Sequence, residues 1–422
     1  MTPNYSQPTP LKYDLIVVGA GPSGMMAAGT AANLGKKVLI IEKNKSLGEK
    51  LKITGGGRCN ITNATFNLRE LLPKFGPAEN FLYSPFSQFG VEDTFKFFES
   101  RNLPLVTEAR DRVFPASQKA ADVFNIMNQY VSHPNIDIIK NNPVNKINAD
   151  KNNRQIISVD TKQGTYSAKN FIIATGGTSH PETGSTGDGF SWLRDIGHSA
   201  KAPTPDIVPL KVFDSWVKDL AGTSLSFMKI TFFVNDKKSF SETGKILFTH
   251  FGLSGPLILN LAHKVADLLH AGLVTAKIDC YPDTDIGALD KKILHVFDTN
   301  KNKSFKNIVR DIVPEGLGDT ILTFNIISDP LIKVHSISKE DRRKIVDLLK
   351  ALPITIEDLM GMDRAVVSDG GVPLSEIDTK TMKSKIYDNL YLTGDILHIN
   401  RPSGGYSLQL CWTTGYVAGL LN

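Results

Sequence analysis

The chain has 422 residues, of which 41% are hydrophobic and 22% charged, and its formal net charge is +5. This composition is ordinary for a globular protein, and the length suits two or three domains that each bury a core. No run of about eighteen apolar residues occurs, so we expect no membrane span. Residues 1–12 are polar and proline-rich without an apolar signal core, and the three cysteines form no CxxC and no metal-ligand spacing. We therefore expect a cytoplasmic protein without a metal site.

The first predicted elements are a buried strand at 13–18 and a small-residue helix, joined by a glycine-rich turn. Gly19 allows the sharp turn, Gly21 lets a pyrophosphate approach the backbone, and Gly24 lets the helix pack on the strand. The pyrophosphate would lie at the helix N-terminus, where free N–H groups favour an anion. The alternative is a structural βαβ turn that binds no ligand.

A second predicted strand, Val38 to Ile41, ends at Glu42. This acid is placed to accept hydrogen bonds from a ribose diol, so the whole pattern predicts a dinucleotide site. The cofactor contacts expected from this part of the chain are Gly19, Ala20, Gly21, Pro22, Ser23, Gly24, Glu42 and Lys43.

The next segment, Gly48 to Asn63, indicates which dinucleotide binds. An NAD-binding unit does not need such a segment, whereas an FAD domain does, because its isoalloxazine lies far from the adenine. The glycine run 55–57 brings backbone N–H groups close to a flat or anionic ligand, and Arg58 adds a positive charge. The alternative is a flexible glycine hinge with a surface arginine. The contacts expected here are Lys50, Thr54, Gly55, Gly56, Gly57, Arg58, Cys59 and Asn60.

The chain beyond this segment contains one clear helical pattern and two strand patterns. Val91, Phe95 and Phe98 fall on one face of a predicted amphipathic helix, and residues 137–140 and 147–160 are predicted strands. These strands would cross under the adenine side of the cofactor.

Two further stretches are predicted to return to the cofactor. Val144 lies where FAD domains use a backbone contact to the adenine. The sequence NFIIATGG, residues 170–177, is an apolar strand that breaks into small residues. The contacts expected from it are Ala174, Thr175, Gly176 and Gly177.

The composition shifts at residues 201–210, where three prolines predict a linker. Residues 211–235 and 271–280 then alternate like strands, and residues 257–270 and 339–351 have helical spacing. The predicted domains are the first part of an FAD-binding domain at 1–200, an inserted middle domain at 201–362, and the C-terminal part of the FAD-binding domain at 363–422.

Two residues are candidates for chemistry. His250 stands in FTHFGLSGP, before a proline-started helix whose predicted N-cap is Ser254. It is either an acid–base group beside the flavin or a residue that hydrogen-bonds its own loop. Cys59 is either a thiolate nucleophile or a small buried packing residue. We assign neither as catalytic.

Near the C-terminus, a strand, a Gly-Asp turn and a glycine pair that opens a helix complete the pattern. Gly394 and Asp395 form the turn, and Asp395 would face the ribityl or pyrophosphate hydroxyls. Gly404, Gly405 and Tyr406 would direct a helix N-terminus at the flavin pyrimidine ring, and its positive end would stabilise the anionic reduced flavin.

Five blocks, spread from end to end, resemble the BaiN-type, aminoacetone-oxidase-like (YhiN group) bacterial FAD-dependent oxidoreductases. They are EKNKSLGEKLKITGGGRCNITN, ATGGTSHPETGSTGDG, GKILFTHFGLSGPLIL, RAVVSDGGVPLSEIDTKTM and LYLTGDILHINRPSGGYSLQLCWTTGYVAG. The family commonly has Gly-Glu and Gly-Tyr-Asn where this chain has Gly394-Asp395 and Gly405-Tyr406-Ser407. Aspartate keeps the acceptor role of the family's glutamate. Ser407 does not match the asparagine whose side chain is expected to contact the flavin. The resemblance implies an α/β fold, with a Rossmann-type FAD-binding domain (GR2-like) and an inserted middle domain of β-strands plus helices.

The resemblance also implies noncovalent FAD and flavin-mediated hydride transfer to or from a small organic substrate. An NAD(P)H-linked reductase of a conjugated or carbonyl compound is the leading hypothesis, and a flavin oxidase of a small amine is the alternative. Residues 200–360 contain no second strand–GxGxxG–helix unit, so NADH or NADPH would dock transiently at the flavin face. The middle domain is expected to cap the isoalloxazine and to form the substrate pocket at the interface.

Lysines concentrate at residues 291–306 and 333–350. One hypothesis is that they form a nucleic-acid-binding patch, and the protein would then be a non-catalytic flavin-binding or RNA-associated module. Interleaved acidic residues favour solvated helix faces instead. We therefore expect a small-molecule substrate and neither a nucleic-acid nor a membrane partner, with the oligomeric state left open.

Overall fold

The computed structural model describes residues 12–422, which form two compact units. The first unit combines the described residues up to Pro205 with Val366–Asn422, and the second comprises Asp206–Ala365. The sequence predicts no apolar signal core in residues 1–12. Of these residues only Lys12 is described by the structure. None of the helices in residues 12–422 has the length and apolar character that a membrane crossing requires.

The first part of the first unit alternates strands and helices. Its elements are β1 (Tyr13–Val18), α1 (Pro22–Asn33), β2 (Val38–Ile41), α2 (Glu49–Ile53), β3 (Thr62–Asn63), α3 (Leu68–Leu71), α4 (Glu79–Gln88), α5 (Val91–Glu99), β4 (Leu105–Glu108), β5 (Arg112–Pro115), α6 (Ala120–Val131), β6 (Ile136–Ile139), β7 (Val144–Asp150), β8 (Gln155–Thr161), β9 (Gly164–Tyr166), β10 (Ala168–Ile173), α7 (Asp188–Asp195) and β11 (Lys201–Asp206). The predicted amphipathic helix is α5, in which Val91 and Phe98 are buried and Phe95 is partly buried.

The second unit is a closed antiparallel barrel with helices. Its elements are β12 (Leu210–Val212), α8 (Trp216–Asp219), β13 (Ser224–Val234), β14 (Lys237–Thr249), β15 (Gly252–Ser254), α9 (Pro256–Ala271), β16 (Val274–Asp279), α10 (Ile286–Thr299), α11 (Phe305–Ile312), α12 (Gly318–Thr323), α13 (Lys339–Lys350) and β17 (Leu352–Leu359). The barrel order is β12-β15-β14-β13-β16-β17, and the unit has its own apolar core.

The chain then returns to the first unit through β18 (Val367–Gly371), β19 (Leu390–Leu392) and α14 (Tyr406–Gly419). The central sheet of that unit has the order β19-β10-β1-β2-β6, and all its pairs are parallel. Strands β2 and β19 are apolar throughout, and β1 and β10 end in apolar runs, because a parallel sheet is normally covered on both faces. The predicted α/β class with a Rossmann-type sheet is confirmed.

The predicted linker at residues 201–210 is wrong in one respect, because its first six residues form strand β11. This strand pairs with β18 in a two-stranded sheet. Pro203 and Pro205 lack a backbone N–H, and such residues are tolerated where one edge of a strand needs no partner.

Candidate cofactor site

The glycines at the turn between β1 and α1 differ in whether the fold leaves room for a side chain. Gly19 has φ +98°, and a Cβ there would lie 2.6 Å from the Ala174 carbonyl oxygen. A Cβ on Gly24 would collide with the Gly19 carbonyl oxygen. Gly21 has φ −75°, and a Cβ there would meet no atom within 4 Å. The open space at Gly21, at the N-terminus of α1, fits a group that approaches the backbone closely.

Glu42 follows β2 at the same edge of the sheet and is 6% exposed. Its Oε2 accepts a hydrogen bond from Ala20 N, and its Oε1 accepts one from Asn44 N, both at 2.8 Å. Burial raises the pKa of Glu42, while these backbone hydrogen bonds oppose the rise. A carboxylate has more acceptor sites than two donors use, so Glu42 can still accept from a ribose hydroxyl.

The Gly48–Asn63 segment consists of helix α2, a glycine turn and strand β3. Gly55, Gly56 and Gly57 follow α2 with φ of 62°, 67° and 85°, which side chains rarely adopt. The turn is closed by hydrogen bonds from Cys59 N to Thr54 O at 2.9 Å and from Ala120 N to Gly57 O at 2.7 Å.

Three side chains of this segment pack against or bond to other residues of the chain. Arg58 pairs with Glu108, and its guanidinium lies 4.1 Å from the Phe114 ring centre. Asn60 Oδ1 accepts from Val113 N at 3.2 Å. Cys59 is fully buried, and burial raises the pKa of its thiol, so the packing interpretation of this cysteine holds.

The structure brings the returning segments together around the first turn. Ala174 stands against Gly19, and a Cβ on Gly394 would lie 2.6 Å from Ser23 Oγ in α1. A Cβ on Gly177 would lie 3.6 Å from the Asp395 carbonyl oxygen. The fingerprint, the ATGG turn and the C-terminal Gly-Asp turn therefore meet at one edge of the sheet.

Two polar side chains near this edge have no hydrogen-bond partner within the described chain. The hydroxyl of Thr175 and the amide of Asn142 are both buried without one. The backbone N–H of Asn142 donates to the Glu42 carbonyl oxygen at 3.1 Å, so residue 142 is a neighbour of the predicted ribose-binding acid. Val144, two residues further on, is buried at the start of β7.

Asp395 and two lysines have partners that sequence reasoning did not find. The Arg401 guanidinium donates to Asp395 and also to Ser407 Oγ at 3.0 Å. Lys43 Nζ donates to Thr186 Oγ1 at 2.6 Å and to Asp188 at 2.7 Å. Lys50 donates to the Ser179 hydroxyl. Arg401 was missed because an arginine between short turns gives no pattern by itself.

The N-terminus of α14 is packed closely against β3. Gly405, with φ +103°, caps the helix, and a Cβ there would collide with the Thr62 carbonyl oxygen. Gly404 O accepts from Asn63 Nδ2 at 3.2 Å. Tyr406 is 8% exposed, and its ring meets the Phe75 ring edge-on at 5.9 Å. This contact fixes the direction in which the helix N-terminus points.

His250 lies in the second unit, in the exposed turn between β14 and β15. Its ring meets the Phe251 ring edge-on at 4.9 Å. The predicted N-cap Ser254 is wrong. Ser254 ends β15, and α9 is capped by Gly255, which has φ +93°. Glycine replaces a polar cap here because this backbone geometry excludes most side chains.

Residues 13–421 of the chain match the family described as HI0933-like protein Rossmann domain. The chain belongs to this family. The predicted resemblance to the BaiN and YhiN group and the predicted class of FAD-dependent oxidoreductase are confirmed.

Two relatives span nearly the full length. One is a 3-dehydro-bile acid delta(4,6)-reductase of Clostridium scindens, 29% identical over 409 residues, which are 96% of this chain and 97% of the relative. The other is a ribosomal RNA dihydrouridine synthase of Haemophilus influenzae, 26% identical over 412 residues, which are 96% and 97% of the two chains. Because the second is named for an RNA, the expected absence of a nucleic-acid partner stays a prediction.

A solved structure shares the fold. It is a 3-ketosteroid-delta4-(5alpha)-dehydrogenase from Rhodococcus jostii, with a TM-score of 0.51 and 14% sequence identity. The match covers 99% of this chain and 98% of that chain.

Proposed function

We propose that this protein binds FAD noncovalently in its first unit and reduces a carbon–carbon double bond conjugated to a carbonyl group. The observation that supports the cofactor site is the open turn at Gly21, around which the predicted segments meet. The names of two relatives support the reaction. A delta(4,6)-reductase of a 3-oxo compound and an enzyme that makes dihydrouridine both saturate a double bond conjugated to a carbonyl.

The residues of the first unit have separate roles in this proposal. The N-terminus of α1 at Gly21 takes the pyrophosphate, and Glu42 accepts from the ribose. The N-terminus of α14 at Gly405 stabilises negative charge on the pyrimidine ring. When bound, the flavin supplies the hydride-transfer chemistry, and the protein supplies orientation and electrostatics.

The proposed electron donor, NADH or NADPH, has no Rossmann site of its own in the described residues. The strand pairs of the second unit are all antiparallel, in contrast to the parallel βαβ arrangement of dinucleotide sites. We therefore propose transient docking of the nicotinamide next to the flavin.

A small organic enone is the proposed substrate class, and uridine in RNA is the second candidate. The specific observation that favours the second is the full-length similarity to a ribosomal RNA dihydrouridine synthase. Both substrates present the same conjugated group, so the two candidates differ in recognition and share the chemistry.

The test begins with purified, FAD-supplemented protein, from which denaturation should release FAD. The flavin is then reduced without oxygen by dithionite, NADH or NADPH in separate samples. Each sample is mixed with a steroid 4,6-dien-3-one or with a uridine-containing RNA oligonucleotide. We expect flavin absorbance to return and one probe to gain two hydrogens by mass. Reoxidation by air alone, with oxidation of a small amine, would instead support the oxidase alternative.

A further inference from the structure

Lys50 has an unusual environment for a lysine. It lies in the short helix α2, and its ammonium donates to the Ser179 hydroxyl. Ser179 is fully buried and in turn donates to Val366 O at 3.3 Å. An ammonium has three donors, and within residues 12–422 this is the one hydrogen bond found for it, with no carboxylate within 4.0 Å. Two N–H groups of Lys50 are therefore available to a ligand.

The charges around Lys50 do not neutralise it. Asp395 attracts it most strongly, but the Asp395 carboxylate is already paired with Arg401, whose charge repels the lysine. Cys411 and Glu182 add weaker attractions. Burial lowers the pKa of Lys50, and the attraction of Asp395 opposes this change. Lys50 is half-buried, and within residues 12–422 no carboxylate contacts its ammonium directly. Charged groups with shifted pKa values are common where a protein meets its reactant.

Lys52, on the same helix, provides the contrast. Its ammonium bonds the hydroxyl of Ser46, lies 3.4 Å from Glu49 Oε1 and stands 4.3 Å from the Phe124 ring centre. Two lysines that are two residues apart on one helix thus have different surroundings: Lys52 has a carboxylate partner, and Lys50 lies among the segments predicted to hold the flavin.

We infer that Lys50 is the general acid of the reaction, donating a proton from Nζ to the substrate carbon next to the carbonyl group. This inference rests on the proposed function. The substrate carbon remote from the carbonyl gains a hydride from the reduced flavin, and the π bond breaks. The electron pair then forms a C–H bond with the proton released by Lys50. The neutral amine that remains regains a proton from water.

The surroundings of Lys50 suit this role. A general acid works best when its pKa lies near the operating pH, and burial moves a lysine in that direction. The hydrogen bond to Ser179 fixes the ammonium without neutralising it, so a proton remains to be given. Arg401 cannot do the same because a guanidinium does not lose its proton in proteins.

The first arm of the test measures Lys50 without turnover. Competitive acetylation of the protein over a pH series, followed by peptide mass spectrometry, gives the pKa of individual lysines. We expect Lys50 in the FAD-free protein to titrate below the usual range for lysine, and FAD to slow its labelling. An ordinary or raised value for Lys50 overturns the inference.

The second arm compares Lys50→Arg with the matched control Lys52→Arg. Arginine keeps the positive charge of this expected cofactor contact but does not release a proton, so FAD affinity and the flavin midpoint potential of each variant are measured beside its turnover. Reduction of the steroid dienone or RNA probe should fall by about a hundredfold or more in Lys50→Arg. The ratio of probe reduction to electron transfer to ferricyanide, which takes up no proton, should fall in Lys50→Arg, because a change in FAD content or flavin potential would affect both activities. Lys52→Arg should match the wild type in every measurement.

The outcomes separate the two proposals. If the wild type reduces neither probe, the proposed function fails and the inference fails with it. If the wild type reduces a probe and Lys50→Arg does so within about threefold of its rate, Lys50 is not the acid and the proposed function stands. A wild-type rate that falls as pH rises through the labelled pKa, with no such fall in Lys50→Arg, supports the inference.

Discussion

The guanidinium of Arg401 donates a hydrogen bond to the carboxylate of Asp395, and their side chains are only 2% and 14% exposed. Arg401 also donates to the Ile399 carbonyl at 2.7 Å and to Ser407 Oγ. These bonds fix the orientation of Asp395 at the edge where the predicted cofactor segments meet. The departure at Ser407 thus has a structural role of its own, since this hydroxyl accepts from the arginine.

Removing one member of this buried pair should destabilise the fold. Arg401→Met leaves the Asp395 carboxylate without its partner, which should cost about 3–5 kcal/mol. Unfolding in guanidinium chloride, followed by circular dichroism, measures the loss in the free energy of unfolding. The matched control is Arg310→Met, because the Arg310–Asp319 pair is 70% and 75% exposed and should contribute less than about 1 kcal/mol. Equal losses of unfolding free energy in the two variants would contradict the expectation that the buried pair contributes more to stability than the exposed pair.

Two glycines of the first turn should respond differently to valine. Gly21→Val places a side chain in open space, so the protein should fold normally but lose FAD, because the pyrophosphate can no longer approach. Gly24→Val forces a collision with Gly19 and should destabilise the fold itself. Melting temperature and flavin absorbance of the purified variants decide this. Normal flavin occupancy in Gly21→Val would show that the pyrophosphate lies elsewhere.

Glu42→Ala should weaken FAD binding by roughly 1–3 kcal/mol, the usual cost of losing a charge-assisted hydrogen-bond partner. Titration of FAD into the FAD-free protein, followed by flavin fluorescence, gives the dissociation constant. Glu49→Ala is the matched control, since Glu49 pairs with Lys52 on the surface of α2. An unchanged dissociation constant in Glu42→Ala would remove Glu42 from the site.

The buried His198 should make the protein less stable in mild acid. Its ring lies between Glu376 Oε2 at 2.6 Å and Ser384 Oγ at 3.0 Å. Burial lowers the pKa of His198, although Glu376 opposes this. As the pH drops below the ordinary histidine pKa, the unfolded chain therefore binds more protons than the folded one. The free energy of unfolding decreases as the pH decreases. This arrangement is not a hydrolase triad, because Ser384 is 3% exposed and its oxygen also accepts from Tyr387 N at 3.0 Å.

The measurement for His198 is the melting temperature between pH 5 and pH 7.5. His198→Gln keeps a donor for Glu376 and an acceptor for Ser384 but does not titrate, so its acid-induced loss should be smaller than that of the wild type. His295→Gln, at an exposed position, should keep the wild-type profile. Parallel profiles for wild type and His198→Gln would rule out this explanation.

His250→Ala should retain FAD and lose less than about tenfold in turnover, because His250 is exposed and its ring packs against the neighbouring Phe251 ring. The check is flavin absorbance together with stopped-flow reoxidation by the active probe. A loss of about a hundredfold or more would revive the acid–base interpretation. Loss of FAD from a folded variant would place His250 at the cofactor.

The amino-acid sequence determined the parts of this protein that depend on local geometry. The β1–turn–α1 unit follows from an apolar run and from glycines at positions where side chains do not fit. The α14 start at Gly405 and the amphipathic helix α5 follow in the same way. Each is specified within about a dozen residues, so a single sequence is enough to predict it.

Only the tertiary structure decided which side chains are partners. Lys50 and Ser179 are 129 residues apart in sequence, and the backbone N–H of Asn142 donates to the Glu42 carbonyl from the loop between β6 and β7. The pairing of β11 with β18 joins distant segments as well. No local pattern specifies such contacts, because they form when the parallel sheet aligns strand ends from distant parts of the chain. The charge environment of the site is therefore a property of the fold, although the turns that build it are properties of the sequence.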